Sequence, residues 1–199
     1  MKKSLVCYFS IVLFLFTTLV TQAGETLTFK GIQLEKKQIE NNIPLNLKGF
    51  GVRNKWFFDL YVAALYVDES LMDADANTLI NSTKPSMFEL HIISDKITSD
   101  KMINAVKQGF KATQYISDVD IFKEQEALLN LLKDKIVKGD IFQFSWVPTE
   151  GLTIFKNQKK LKSIKSPAFK KRLFAIWLGK DPADKNLKKD LLNDANHSF

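Results

Sequence analysis

Cysteine is nearly absent from this 199-residue chain; its one thiol, Cys7, lies in an apolar run close to the start. Beyond that run there is no disulfide framework, no thiol nucleophile and no cysteine-based zinc site. Histidine is almost as scarce. His91 and His197 are the two, far apart in sequence, which argues against a zinc centre or a Ser-His-Asp triad. Glycine (8) and proline (5) are sparse, so the chain has no low-complexity linker, and turn signals are easy to place. No internal repeat is visible, and no second apolar stretch is long enough to span a bilayer.

The one long apolar run extends from Leu5 to Val20, preceded by Lys2 and Lys3 and followed by Thr21-Gln22-Ala23. A basic start, an apolar middle and a small-residue exit are the layout of a secretory signal peptide, residues 1–23. The run is short for a membrane span, although an uncleaved anchor is the alternative. Cys7 is not in a lipoprotein-type cleavage box. Removal of the segment lowers the net charge from +7 to +5. That is mildly basic and does not suit a dedicated nucleic-acid binder. The expectation is an exported, periplasmic protein, soluble after cleavage. It has one domain over residues 24–192 and a flexible tail over 193–199.

The segment "TLTFKGIQLEKKQIENNIPLNLKGFGVR" reads as short strands and turns. "KWFFDLYVAALYV" reads as one strand apolar on both faces, with Trp56, Phe58, Leu60, Val62 and Tyr66 on one side and Phe57, Tyr61, Ala63, Leu65 and Val67 on the other. Such a strand is covered twice. "SMFELHIIS" alternates. Met102, Ile103, Val106 and Phe110 mark a helix from Ser99, and a second helix runs from about Asp118 to a C′ glycine, Gly139. "IFQFSWVP", "GLTIFKN" and "KLKSIK" are three further strands joined by tight turns. Ser166-Pro167 and Asp181-Pro182 each signal a helix start. Strands joined by tight turns, with helices before and after, predict an α+β domain built on an antiparallel sheet.

Few residues carry chemistry. Asp73, Asp75 and Asn77 sit at calcium-loop spacing, but Thr78 and Lys84 replace the required glycine and glutamate, which leaves a solvated acidic loop. Gly49-Phe50-Gly51 is no dinucleotide fingerprint, and the glycines read as shaping a turn. Eight lysines and arginines between Lys156 and Arg172 form either a solvated face or a contact for anionic lipid headgroups. Arg53 and Tyr61 are the polar residues in or beside the apolar strand. Arg53 either lies in an exposed turn, pairs with Asp59 or Glu69, or forms with Tyr61 a carboxylate-binding pair at the end of an apolar cavity.

"GFGVR" followed by "FFDLYVAALYV" resembles the chalcone isomerase superfamily. "GLTIF" and "AIWLGKDPADKNLKKDLL" resemble its bacterial, exported chalcone isomerase-like branch. The resemblance extends from Leu45 to Leu192. It implies an open-faced β-sandwich, a large antiparallel sheet under a helical layer with an apolar cleft between them. The ring-closing plant enzymes use an arginine, a threonine, a tyrosine–asparagine pair and a late hydroxyl. Here those positions are Arg53, Tyr61, Thr98 with Ala105, and Ile176, so only the arginine is kept and flavonoid ring closure is not expected. Plant fatty-acid-binding proteins of this fold hold the carboxylate with an arginine and a tyrosine, which Arg53 and Tyr61 match. The resemblance therefore implies a non-catalytic binder of a fatty acid or similar apolar carboxylate, without metal or organic cofactor and without nucleic acid. Two alternatives stand beside it. One is an isomerase or lyase with Arg53 stabilising an oxyanion and Tyr61 donating a proton. The other is a structural or partner-binding protein whose cleft is filled.

The leader generates the first prediction. Expressed in a bacterial host, the chain should appear in the periplasmic fraction with an N-terminus near Gly24. Recovery of the full-length N-terminus from the inner membrane would contradict it.

Overall fold

Alternating apolar positions and tight polar turns build a sheet in which every strand pairs with its chain neighbour. The computed structural model describes residues 25–193; the leader 1–23 and the tail from residue 194 lie outside the described residues. A small hairpin, β1 (Thr26–Phe29) and β2 (Ile32–Glu35), opens the described part of the chain. The main sheet follows as β3 (Lys37–Glu40), β4 (Ile43–Lys55), β5 (Phe58–Val67), β6 (Ser86–Ile92), β7 (Ile141–Val147), β8 (Gly151–Lys156) and β9 (Lys159–Ile164). These seven strands are antiparallel throughout and lie in sequence order. The sheet is curled, and it brings Glu40 on edge strand β3 near Ser145 on β7. Among the described residues the α-helices are α1 (Ala76–Asn81), α2 (Ser99–Ala112), α3 (Phe122–Leu131), α4 (Pro167–Leu178) and α5 (Lys185–Leu192).

Both faces of the sheet are covered. Tyr61, Ala63, Leu65 and Val67 of β5 face the helical layer with Phe88, Leu90 and Ile92 of β6. Val62, Ala64 and Tyr66 face the other way, toward Leu34, Leu45, Leu47 and the β1–β2 hairpin. The α+β expectation and the sheet-under-helices architecture are both met. Helix α4 is buried from Phe169 along most of its length, Lys171 excepted, so it is the core of the helical layer rather than a surface helix. Ser166 caps it by accepting from the Phe169 N–H, and Pro167 occupies its first turn.

Four readings of the sequence change. "KWFFDLYVAALYV" is not one strand, since Trp56 and Phe57 form a two-residue turn between β4 and β5. Their side chains are exposed, and a strand-face assignment for them fails. A bulge at Leu60, between the Arg53–Tyr61 and Asn54–Asp59 pairs, then moves Leu60 to the helical side. The second long helix ends at Leu131, well before Gly139. Gly139 instead donates its N–H to the Ile92 carbonyl, and the Asp140 carboxylate takes the Val137 N–H, a turn that feeds β7. Helix α5 starts three residues later than its Asp-Pro signal. Asp184 is the cap that accepts from the Asn186 and Leu187 N–H groups.

Gly49 and Gly51 are the fourth change. They lie inside β4, not in a turn, and helix α5 lies directly on them. A Cβ at Gly49 would meet the Asp190 carbonyl oxygen at 2.5 Å and that of Leu191 at 2.6 Å, and one at Gly51 would meet the Asp190 side chain at 2.7 Å. Side chains at these positions would lift the last helix off the first long strand. Gly49→Ala should cost about 1–3 kcal/mol of stability, since backbone and not a flexible side chain must give way. Urea denaturation measures the loss, and hydrogen exchange should place the loosening in α5. A variant as stable as wild type would show that α5 is not seated by this contact.

Candidate functional site

The glycines that admit α5 also decide what happens at the end of β4. Residues 49, 51 and 53 share the helical face of the strand, and the first two are covered by α5. Arg53 comes next along that face, beside the N-terminus of α5, where the Asn54 N–H donates to the Asp184 carboxylate at 3.2 Å. Its register partner across the β4–β5 ladder is Tyr61. Cross-strand partners share a face and sit close, so the two residues that the sequence singled out are brought together. The guanidinium carbon lies 5.6 Å from the Tyr61 ring centroid.

The two differ in surroundings. Arg53 is half-buried. It does not pair with either carboxylate considered from sequence: Asp59 pairs with Lys30 at 3.1 Å and accepts from Asn54, while Glu69 accepts from Asn46. Among the described residues Arg53 forms no ion pair. Tyr61 is 2% exposed. Its phenol oxygen accepts the Trp177 Nε1–H at 2.9 Å. An indole N–H can only donate, so the hydroxyl proton of Tyr61 is left free to donate. Burial raises the phenol above its ordinary pKa, partly opposed by the Arg53 guanidinium and the Trp177 N–H, so the group remains a protonated donor.

Trp177 is the residue that sequence reasoning missed. It was legible as an apolar position of the late helix, but nothing in spacing joins it to Tyr61, 116 residues earlier. Its ring stacks on Phe88 with centroids 4.8 Å apart, Phe174 stands edge-on to Phe88 at 4.9 Å, and Phe144 lies 6.0 Å from Trp177. The space between sheet and helices below Tyr61 is thus occupied by aromatic rings. A separate cleft of about 180 Å³ opens between the hairpin and β4, lined by Leu27, Lys36, Asn46, Glu69 and Met72 among others. Its charged rim does not suit an apolar chain, and it lies away from Arg53.

The positions aligned with the plant catalytic residues serve the fold. Thr98 caps α2 through the Lys101 N–H, and Ile176 packs where a Cβ on Gly109 would meet it at 2.8 Å. His91 is buried against Glu89, which also accepts from Gln143. Asp75 caps α1. Among the described residues no cluster of three metal-ligating side chains occurs, and no helix is long and apolar enough to cross a membrane.

The Lys156–Arg172 run is not one solvated cationic face. Lys156 pairs with Asp140 at 2.9 Å, and Arg172 is buried and donates to the Phe110 carbonyl. Lys159, Lys160 and Lys162 lie on edge strand β9, where charge blocks edge-to-edge pairing. Lys170 is 1% exposed, with its ammonium on the carbonyls of Leu79, Ile80 and Ser82 at 2.8–3.1 Å, closing the end of α1.

A family description, chalcone isomerase-like, matches residues 26–193. The chain belongs to the chalcone isomerase-like family. Comparison with curated protein sequences finds no match. Among solved structures, a fatty-acid binding protein of Arabidopsis thaliana is similar, with a TM-score of 0.69 and 19% identity over 84% of this chain and 96% of that one. At this identity the likeness is one of fold.

Lys170 generates a prediction of pH dependence. Burial, aided by the Lys171 charge, pushes its pKa down from 10.5 to about 7 in the folded chain. Between those values the unfolded chain binds the extra proton, so this group makes stability rise with pH across that window. The stability difference between wild type and Lys170→Met should therefore grow in favour of wild type from about pH 7 to 10.5. Denaturation series at several pH values measure it, and a constant difference would refute it.

Proposed function

We propose that this protein is a non-catalytic binder of a fatty acid or similar apolar carboxylate, held at its charged end by Arg53 and Tyr61. The observation that carries the reading is a guanidinium without an ion-pair partner among the described residues, set beside a buried phenol whose proton is free to donate. A guanidinium that is partly removed from water calls for an anion. A carboxylate accepts from both groups at once. The fatty-acid binding protein of the same fold supports the ligand class. Export to the periplasm remains part of the proposal and rests on the leader segment alone.

The acyl tail would take the space now held by the Phe174 and Trp177 rings, so binding requires those rings to turn. Burial contributes roughly 0.8 kcal/mol per CH₂, so tail length sets most of the affinity. The charged-end hydrogen bonds contribute about 1.5–3 kcal/mol and fix which end goes in. The closed aromatic packing also favours a second reading, a structural or partner-binding domain whose cleft is permanently filled by its own rings.

Competition titration separates the two. Arg53→Ala should weaken a long-chain fatty acid by ~10–100-fold, and Tyr61→Phe by less. The matching fatty alcohol should bind wild type more weakly and be nearly indifferent to Arg53→Ala. Trp177 emission should change on binding. Equal affinity of wild type and Arg53→Ala for the acid would reject the clamp. Absence of any acid binding would leave the filled-cleft reading.

A further inference from the structure

Two-residue turns join four of the strand pairs, and three of them have ordinary turn chemistry. Lys30-Gly31, Asn41-Asn42 and Asn157-Gln158 all take positive φ, from 50° to 77°. Glycine and asparagine tolerate that conformation well, and the remaining residues are polar and exposed. The fourth turn, between β4 and β5, is Trp56-Phe57, with Trp56 at φ 59°. A bulky aromatic at positive φ is strained. Local geometry therefore does not account for the residues at this turn.

Burial does not account for them either. Trp56 is 87% exposed, Phe57 98% and the next residue, Phe58, 48%. At Trp56 and Phe57 such values mean that the rings project from the molecule with almost no protein around them, while Phe58 is about half covered. Lysines lie close to the turn. Lys55 precedes the turn, the Lys96 ammonium stands 5.5 Å from the Phe58 ring, and Lys30 on the adjoining hairpin turn meets Asp59. Among the described residues neither Lys55 nor Lys96 forms an ion pair.

We propose that the Trp56-Phe57 turn is a wedge that docks the protein on an anionic lipid bilayer. Tryptophan and phenylalanine on a convex tip fit the soft boundary between headgroups and acyl chains, where aromatic rings concentrate. Uncompensated lysines behind the tip meet anionic headgroups. The turn lies at the end of the β4–β5 ladder that carries Arg53, so docking brings the guanidinium to the lipid surface.

The test uses the chain from Gly24, because the described fold is complete within residues 25–193 and the apolar leader would itself partition into lipid. Vesicles of phosphatidylcholine with phosphatidylglycerol, and of phosphatidylcholine alone, are sedimented with wild type and with Trp56→Gly/Phe57→Asn. No fatty acid is added, so the outcome is independent of the carboxylate clamp. Wild type should bind the anionic vesicles preferentially, with tryptophan emission quenched by brominated lipid. The double variant should bind roughly tenfold or more weakly. Its thermal midpoint should be unchanged or higher, because glycine relieves the positive φ. Failure of wild type to bind anionic vesicles overturns the proposal, as does full binding by the double variant. Capture of a protein through Trp56 without vesicle binding would assign the tip to a protein partner and overturn it equally.

Discussion

Desolvation of one strand from both sides governs this structure. Every residue of β5 from Tyr61 to Val67 is buried. A strand in that state must be central in its sheet and must have a layer on each face. The helices form one layer and the β1–β2 hairpin the other. From this follow the burial of most of α4, the curl that draws β3 toward β7, and the close seat of α5 on Gly49 and Gly51. The polar pair at the end of β5 is placed by the same constraint. Tyr61 is the first buried position after the bulge, and its hydroxyl must find a partner inside. Trp177 supplies it from the helix that covers the strand.

That hydrogen bond is the polar link between the two layers. It ties sheet to helical layer, fixes the phenol oxygen as an acceptor and leaves its proton for another group. Arg53 lies on the same face beyond the cover of α5, so the two polar groups face the rim while the rings behind them are apolar. Polarity here thus runs from a half-buried charge to a dry interior.

Much of this was legible in the sequence for a physical reason. Period-two alternation in "SMFELHIIS", the tight polar turns and the Ser166-Pro167 cap are local signals, and the structure keeps them. Arg53 and Tyr61 stood out because each sits badly in an apolar run unless it has a task. What failed was non-local. Trp56-Phe57 looked like strand because aromatic residues favour strands, while turns are usually marked by glycine, asparagine or aspartate. Gly49 and Gly51 looked like a turn because their reason for being glycine, the close seat of α5, lies some 140 residues away. Lys170 looked solvated because the carbonyls it closes belong to α1. For the glycines and for Lys170 the deciding atoms belonged to a distant segment.

The contact between Gly49 and α5 has a consequence for how the chain acquires its structure. Each strand of the main sheet pairs with the one made just before it, so pairing can advance step by step as the polypeptide lengthens. The closing contact does not follow that order, because α5, at the far end, rests on the first long strand. Until that helix arrives, the helical face of β4 is uncovered and the start of the sheet is held by strand pairing and by the hairpin packed on its other face. A partly synthesised chain is therefore a sheet open along one side. The last helix acts as its latch, turning a sequence of reversible additions into a closed, cooperative unit.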